Sequence, residues 1–243
     1  MKKTLVLYVF HEYNNLVHNF INKCIFNDNT IDFIIICNNK DIQLIVPTFV
    51  KIIYRENIGY DFGGWSEALL RNNLYKKYNN FIFVNSSVIG PFIPSYYKGK
   101  WTDIYLDGLK NDVKLFGSTI NTCDDPINKS HVQSYIFSMN KSTLQYLINC
   151  KIFSMKNYPK TFEECIQCKE ILMSRKVIEK GWNIGSLMSK YKNVDFTFLT
   201  TPFNECKVPF LNDIMFMNFR GFIWNEYELV FIKGNRPHNF VVP

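Results

Sequence analysis

The sequence predicts an α/β fold with a mostly parallel central sheet, and three observations support this prediction. Short apolar segments alternate along the first half of the chain with segments whose apolar residues recur at helical spacing. The apolar segments are rich in β-branched residues, as expected of strands that are covered on both faces. Hydrophobic residues make up 47% of the 243 residues, which is enough to build a large core. Alternation of this kind favours a Rossmann-like sheet with right-handed crossovers.

The individual elements follow from these patterns in chain order. The predicted strands are Leu5–Phe10, Ile31–Cys37, Val50–Tyr54, Phe81–Val84, Val113–Phe116 and Ser134–Met139. The predicted helices are Leu16–Ile25, Asp61–Leu74, Trp101–Leu109, Lys141–Asn149 and Phe162–Lys180, the last of which ends at Gly181 as a C-cap. Beyond Tyr191 the segments are short and rich in aromatic residues. Since no linker, repeat or low-complexity tract divides the chain, we predict a single domain over residues 1–243.

The charge and the cysteines narrow the possible functions. The net charge is +7, but the basic residues are scattered without a run of four. This pattern favours a solvated surface over a nucleic-acid-binding face, and it also suits an anionic diphosphate ligand. Seven cysteines at irregular spacing argue against a disulfide framework and favour a reducing compartment. Cys165 and Cys168 form a C-x-x-C without a second pair, so packing is favoured over zinc binding.

The N-terminal segment predicts a strand rather than a signal peptide. Lys2 and Lys3 precede six apolar residues, but no small-residue cleavage site follows. No stretch of the sequence approaches eighteen apolar residues, so no transmembrane helix is expected.

Two predicted strands end in loops suited to ligand binding, because ligands of such sheets bind beyond the carboxyl ends of the strands. The first loop contains Gly59, Gly63 and Gly64 around Asp61. At the glycines a ligand can approach the protein backbone closely, and the N–H groups of the following helix can donate hydrogen bonds to phosphate or sugar oxygens. A tight turn with Asp61 as a helix cap is the alternative. The second loop is Asn85–Ser87, whose alternative is a polar turn before Gly-Pro.

A third group of polar residues precedes the last predicted strand of the sheet. Asp124 and Asp125 could supply a general base or a metal ligand, and His131 could act as a base or bind phosphate. A solvated turn and a structural histidine are the alternatives.

Three segments together resemble a known family. They are N-I-G-Y-D-F-G-G-W (57–65), F-I-F-V-N-S-S-V-I-G-P-F (81–92) and H-V-Q-S-Y-I-F-S-M (131–139). In order and spacing they resemble the rhamnan synthesis protein F family of glycosyltransferases, found in bacterial polysaccharide clusters and some large DNA viruses. The match spans roughly residues 5–182. The resemblance implies a GT-A-type fold and transfer of a sugar, such as rhamnose, from a nucleotide diphosphate-sugar such as a UDP-sugar to a glycan or glycoprotein acceptor.

The resemblance also implies where the ligands bind and where the protein acts. Residues 1–120 would form the nucleotide-sugar-binding half, and residues 121–243 the acceptor-side half with a C-terminal elaboration. We expect base and ribose contacts from the end of the first strand and its neighbour. The expected donor-binding residues are Tyr8, His11, Asn38, Asn57, Tyr60, Asp61, Gly63, Gly64, Asn85, Ser86, Ser87, Gln133 and Ser134. The expected location is the cytoplasm of a bacterium or of a virus-infected host cell.

The catalytic and metal predictions depend on the stereochemistry and on one tripeptide. Asp125 or Asp124 is the predicted base if the reaction inverts the anomeric centre, and His131 is the third predicted catalytic residue. Family members often carry an Asp in the tripeptide that Asn85–Ser87 replaces, the place of the metal-binding Asp-x-Asp motif. Its absence leaves a requirement for Mn²⁺ or Mg²⁺ open, with Asn85 and Ser87 as weak candidate ligands.

Three other functions are open at this point. A catalytically inactive nucleotide-sugar or glycan-binding module would explain the missing Asp-x-Asp motif. A nucleotide-dependent methyltransferase is disfavoured, because no glycine-rich loop follows the first strand. A nucleic-acid-binding protein is disfavoured by the scattered lysines, so no nucleic-acid partner is expected.

Overall fold

The computed structural model describes residues 4–122, 130–198, 218–219, 222–223 and 225–234. The strands are β1 (Thr4–Phe10), β2 (Ile31–Cys37), β3 (Lys51–Tyr54), β4 (Asn80–Asn85), β5 (Val88–Ile89), β6 (Val113–Gly117), β7 (Ile120–Asn121), β8 (His131–Val132), β9 (Ile136–Asn140), β10 (Asn183–Ser186), β11 (Asn218–Phe219), β12 (Phe222–Ile223) and β13 (Ile232–Lys233). The α-helices are α1 (Asn15–Cys24), α2 (Tyr60–Leu70), α3 (Trp101–Asp107), α4 (Lys141–Asn149), α5 (Phe162–Cys165), α6 (Leu172–Glu179) and α7 (Glu226–Leu229).

Seven strands form the central sheet in the order β10-β6-β9-β4-β1-β2-β3. All neighbouring pairs are parallel except those of β9, which runs antiparallel to both β4 and β6. The predicted mostly parallel α/β fold is therefore confirmed, although the reversed direction of β9 was not predicted. Between β6 and β9 the described chain contains the antiparallel pair β7–β8 and no helix. A parallel return would require a longer crossover, usually a helix.

Alternate residues of β1 point into two separate cores. Leu5, Leu7 and Val9 pack on the side covered by α2, α4 and α6. Val6 and Tyr8 pack on the opposite side, which α1 and α3 cover. Since both faces of the strand are buried, the continuous apolar run of β1 is what its position requires.

Two predicted helices are not regular α-helices over their whole predicted length. Helix α2 ends at Leu70 and a 3-10 segment, Arg71–Lys77, follows it, because Asn72 and Asn73 adopt left-handed φ values of 57° and 54°. Asparagine tolerates this conformation better than most residues. The predicted helix 162–180 contains a π-helical segment, Ile166–Ile171, between α5 and α6. The prediction of a single domain stays a prediction.

The helices of the described ranges are all too short or too polar to cross a membrane.

Candidate active site

A pocket of about 430 Å³ opens at the carboxyl end of β4. Five separate stretches of the chain contribute side chains to it. They are Tyr60 and Asp61 of α2, Asn85, Ser86 and Ser87 after β4, Asn121, His131, Gln133 and Ser134 around β7 and β8, Phe162, Cys165, Ile166 and Glu170 of the helical run, and Lys233 of β13. The structure thus brings together Asp61, the Asn85–Ser87 tripeptide and His131, which the sequence placed in one site.

Asp61 lies in the first turn of α2 and is tied to the end of β4. Asn85 Nδ2 donates a hydrogen bond of 2.8 Å to Asp61 Oδ2. The carboxyl is partly buried beside Glu170. Burial raises the pKa of Asp61 to about 6, with a further upward effect from the charge of Glu170, and the hydrogen bond from Asn85 opposes the shift. Asp61 therefore changes protonation state just below neutral pH.

Glu170 is a pocket carboxylate that the sequence did not reveal. Its Oε2 accepts hydrogen bonds from the backbone N of Ser134, at 2.7 Å, and from Ser134 Oγ. His131 Nε2 lies 3.4 Å from Glu170 Oε1. Burial alone would raise the pKa of Glu170. A hydrogen bond and a charge effect from His131, together with a hydrogen bond from Ser134, outweigh burial and lower the pKa to about 2. Glu170 is therefore an ionised carboxylate at neutral pH.

Lys233 enters the pocket from the C-terminal segment. The pairing of Lys233 with Val88 and of Ile232 with Ile89 fixes β13 against β5. The backbone N of Gly234 also donates to the carbonyl of Ser87 over 2.5 Å. The positive charge of Lys233 opposes the effect of burial by lowering the pKa of both pocket carboxylates. A cation is thus held beside the polar tripeptide.

Several predicted donor-binding residues lie outside this pocket. Tyr8 is 1% exposed and its ring stacks on Phe20, with centroids 3.9 Å apart, so it belongs to the core. Asn38 is buried, and its amide contacts Arg55 Nη1 at 2.8 Å and Asn57 Oδ1 at 3.2 Å. The side chain of Asn38 thus holds the loop before α2 through Arg55 and Asn57. The positions of Tyr8 and Asn38 do not support the predicted base and ribose contacts.

His11 also lies apart from the pocket. It follows β1 as an exposed residue, and its Nδ1 is 2.9 Å from the carbonyl oxygen of Asn38. Its predicted contact with the nucleotide therefore gains no support from the pocket geometry.

Gly63 and Gly64 of α2 have a packing role, and the prediction that they also line the donor site stays a prediction. A Cβ atom on Gly63 would lie 2.0 Å from the carbonyl oxygen of Ile58. A Cβ atom on Gly64 would lie 2.9 Å from Val9 Cγ2 and 3.1 Å from Ile36 Cγ2. Both residues must lack a side chain so that α2 can pack closely on its preceding turn and on the sheet.

The requirement for Mn²⁺ or Mg²⁺ stays an open prediction. No group of three or more His, Cys, Asp or Glu side chains within the described ranges is arranged to hold a metal ion. The side-chain oxygen Oδ1 of Asn85 points to Ser87, where it accepts hydrogen bonds from the backbone N at 3.0 Å and from Oγ at 2.6 Å. The predicted base residues Asp124 and Asp125 lie outside the described residues, so their role stays a prediction.

The chain is similar to one curated protein and, at low sequence identity, to two solved structures. The chain is 28% identical over 169 residues to the virulence protein VirA of Vibrio anguillarum, covering 65% of this chain and 51% of VirA. It thus spans about half the length of the curated relatives it matches. A cytidylyltransferase from Leptospira borgpetersenii is similar at a TM-score of 0.39 and 9% identity, covering 76% of this chain and 74% of the other. A protein described as a nucleotide-diphospho-sugar transferase from Desulfovibrio desulfuricans is similar at a TM-score of 0.41 and 10% identity, covering 81% and 93%.

The match to a protein family extends over most of the chain. A family model described as rhamnan synthesis protein F matches residues 9–230, a range that includes every pocket residue except Lys233. All three sequence segments that suggested this family fall within that range. The chain belongs to the rhamnan synthesis protein F family.

Proposed function

We propose that this protein is a glycosyltransferase that transfers a sugar from a nucleotide diphosphate-sugar to a hydroxyl group of a glycan or glycoprotein. The observation that carries the proposal is the convergence of Asp61, the Asn85–Ser87 tripeptide and His131 on one polar pocket. This pocket lies at the carboxyl end of a parallel strand, where sheets of this type bind their ligands. Its volume of about 430 Å³ is within the usual range for small-molecule sites. Membership of the family supports the same function.

The cationic side chains of the pocket suit an anionic leaving group. As the anomeric bond breaks, negative charge develops on the departing nucleotide diphosphate. Lys233 and His131, when protonated, would stabilise that charge, as fixed cations do in a partly enclosed site. Ser86 and Asn85 would donate hydrogen bonds to the sugar hydroxyls or to the phosphate oxygens.

Asp61 is the described residue best suited to accept the acceptor proton in an inverting reaction. The acceptor oxygen would form a bond to the anomeric carbon, the bond to the diphosphate would break, and the proton would pass to the Asp61 carboxylate. A general base is most effective when its pKa lies near the working pH, which holds for a value of about 6. Asp124 and Asp125 are the alternatives for this role.

Binding and turnover of donors by the purified full chain test the proposal. Thermal unfolding would be followed with UDP-, GDP-, CDP- and dTDP-sugars, each with Mn²⁺ or with EDTA. Because a ligand at a hundred times its Kd stabilises by about 2.7 kcal/mol, one matching donor should raise the Tm by several degrees. Release of the nucleotide diphosphate with each acceptor then reports transfer or hydrolysis. Absence of any stabilising donor would contradict the proposal.

The missing Asp-x-Asp motif makes a non-catalytic nucleotide-sugar-binding module the second candidate. Stabilisation by a donor without release of nucleotide diphosphate, with any acceptor or with water, would favour that candidate. Equal activity with Mn²⁺ and with EDTA is the result expected if Lys233 and His131 act in place of a metal ion.

A further inference from the structure

An exposed phenylalanine forms part of the wall of an otherwise polar pocket. Phe162 is the first residue of α5 and is 67% exposed. Its backbone position is fixed by the preceding Thr161, whose Oγ1 accepts a hydrogen bond of 3.1 Å from the Glu164 backbone N. Other large apolar side chains are also exposed, such as Tyr96 at 81%, but they do not line the pocket. Phe162 therefore offers an apolar ring to whatever binds there.

Tyr60 places a second aromatic ring beside Phe162. The two ring centroids are 6.3 Å apart, and the ring planes are tilted by 62°. Tyr60 adopts a φ of 55°, a left-handed conformation that is uncommon for a bulky residue, between Gly59 and Asp61. Both rings line the pocket, together with Ile166 of the π-helical segment. The pocket thus combines an apolar aromatic surface with the hydroxyl and amide groups of its other residues.

This combination fits a sugar ring. A pyranose has hydroxyl groups around its edge and apolar C–H groups on its faces, so it can use both kinds of surface at once. Covering the exposed part of Phe162 removes apolar area from water, which is favourable by about 25 cal/mol per Å². Since the two rings pack edge to face, the exposed part of Phe162, supported by Tyr60, is the surface on which the C–H face of a sugar ring can pack.

We propose that Phe162 and Tyr60 form the platform that binds the terminal sugar ring of the acceptor glycan. This inference rests on the proposed function, because it divides the same pocket between an anionic donor and a neutral acceptor. Lys233, Asn85 and Ser86 would hold the donor, and the tilted aromatic pair at the exposed side of the pocket would hold the acceptor ring close to Asp61.

Two binding measurements on the full chain separate this inference from the proposed function. Calorimetry with UDP and the other nucleoside diphosphates reports the donor side. Ligand-observed NMR titration with methyl α-L-rhamnopyranoside and methyl β-D-glucopyranoside reports the acceptor side. The variants are Phe162→Ala, Phe162→Trp and the control Tyr96→Ala, which removes an exposed aromatic ring outside the pocket.

We expect Phe162→Ala to raise the Kd of a bound glycoside about five- to tenfold, the loss expected for one aromatic contact. Phe162→Trp should retain the glycoside, and Tyr96→Ala should change neither Kd. The inference is overturned if no glycoside binds the wild-type protein, if Phe162→Ala binds it equally well, or if Phe162→Ala weakens nucleoside diphosphate binding instead. Failure of every nucleoside diphosphate to bind counts against the proposed function, whereas a glycoside Kd that depends on Phe162 still supports the platform.

Discussion

Asn85 Nδ2 donates a hydrogen bond to Asp61 Oδ2 over 2.8 Å, and this bond joins the last residue of β4 to the first turn of α2. The same amide turns its carbonyl oxygen to Ser87. Asn85 therefore fixes both the carboxyl group of Asp61 and the turn of the tripeptide. One carboxylate, which comes from the neighbouring helix, is therefore held beside the tripeptide.

Replacing Asp61 with asparagine should abolish transfer without weakening the fold. Because the pKa of Asp61 is raised to about 6, the folded state binds its proton more tightly than the unfolded state does. The ionised group therefore lowers stability as pH rises from about 4 to about 6, and Asp61→Asn removes this effect. At pH 7.5 we expect turnover to fall 10²-fold or more, with an unfolding free energy equal to the wild type or up to about 2 kcal/mol higher. Urea unfolding and nucleotide release measure the two effects, and retained turnover would remove Asp61 from the mechanism.

The pH dependence of turnover should follow the ionisation of Asp61. If its carboxylate accepts the proton, kcat/KM rises with pH and levels off above a pKa of about 6. Glu170 contributes no transition between pH 5 and 8, because its pKa is lowered to about 2. The profile is measured between pH 5 and 8 in buffers of constant ionic strength. A flat profile over this range would show that Asp61 is not the base.

Glu170→Gln should lower the free energy of unfolding. The pKa of Glu170 is lowered from 4.5 to about 2, so the contacts of its carboxylate with His131 and Ser134 stabilise the fold above pH 4.5, and this stabilisation is lost as pH falls towards 2. We expect the variant to lose about 1–3 kcal/mol of unfolding free energy at pH 7 and less at pH 3. The matched control Glu163→Gln changes an exposed carboxylate of the same helical run. Equal stability of the two variants at pH 7 would contradict the prediction.

The positions of Asp61, Ser86 and His131 could be predicted because each follows or precedes a strand whose end meets the others at one edge of the sheet. Glu170 could not be predicted in this way. In a regular helix, residues 169 and 170 both lie on the same face as Phe162, so the spacing does not tell which of the two enters the pocket. Of these two residues Glu170 enters the pocket, while Lys169 Nζ donates to the carbonyls of Lys151 and Ile152 at 2.7 and 2.9 Å.

The role of Lys233 was also hidden from the sequence. It reaches the pocket through the two-residue strand β13, which is too short to show the alternation typical of a strand. The packing role of Gly63 and Gly64 was hidden for a related reason. A glycine-rich turn before a helix has the same sequence whether a ligand or a neighbouring strand occupies the space.

Lys233→Met should weaken the binding of phosphates without affecting the nucleoside. If Lys233 contacts the diphosphate, its removal costs about 1.5–3 kcal/mol, which raises the Kd of a bound nucleoside diphosphate about tenfold or more. The Kd of the matching nucleoside should stay within a factor of two. Lys98→Met serves as the control, since Lys98 is exposed in a loop outside the pocket, where its Nζ donates to the Ser95 carbonyl at 3.3 Å. A parallel loss of nucleoside and diphosphate binding would assign Lys233 a structural role.

Gly64→Ala should destabilise the fold while sparing the ligand site. The added methyl group would lie 2.9 Å from Val9 Cγ2 and 3.2 Å from Asn38 Oδ1, so α2 must move away from the sheet. Overpacking of this kind costs about 1–3 kcal/mol, which urea unfolding would detect. At 10 °C, well below the Tm of either protein, both are folded, so the Kd for a nucleoside diphosphate should match that of the wild type. A weakened Kd with unchanged stability would instead assign Gly64 to the donor site, because close approach of a ligand would then account for the missing side chain.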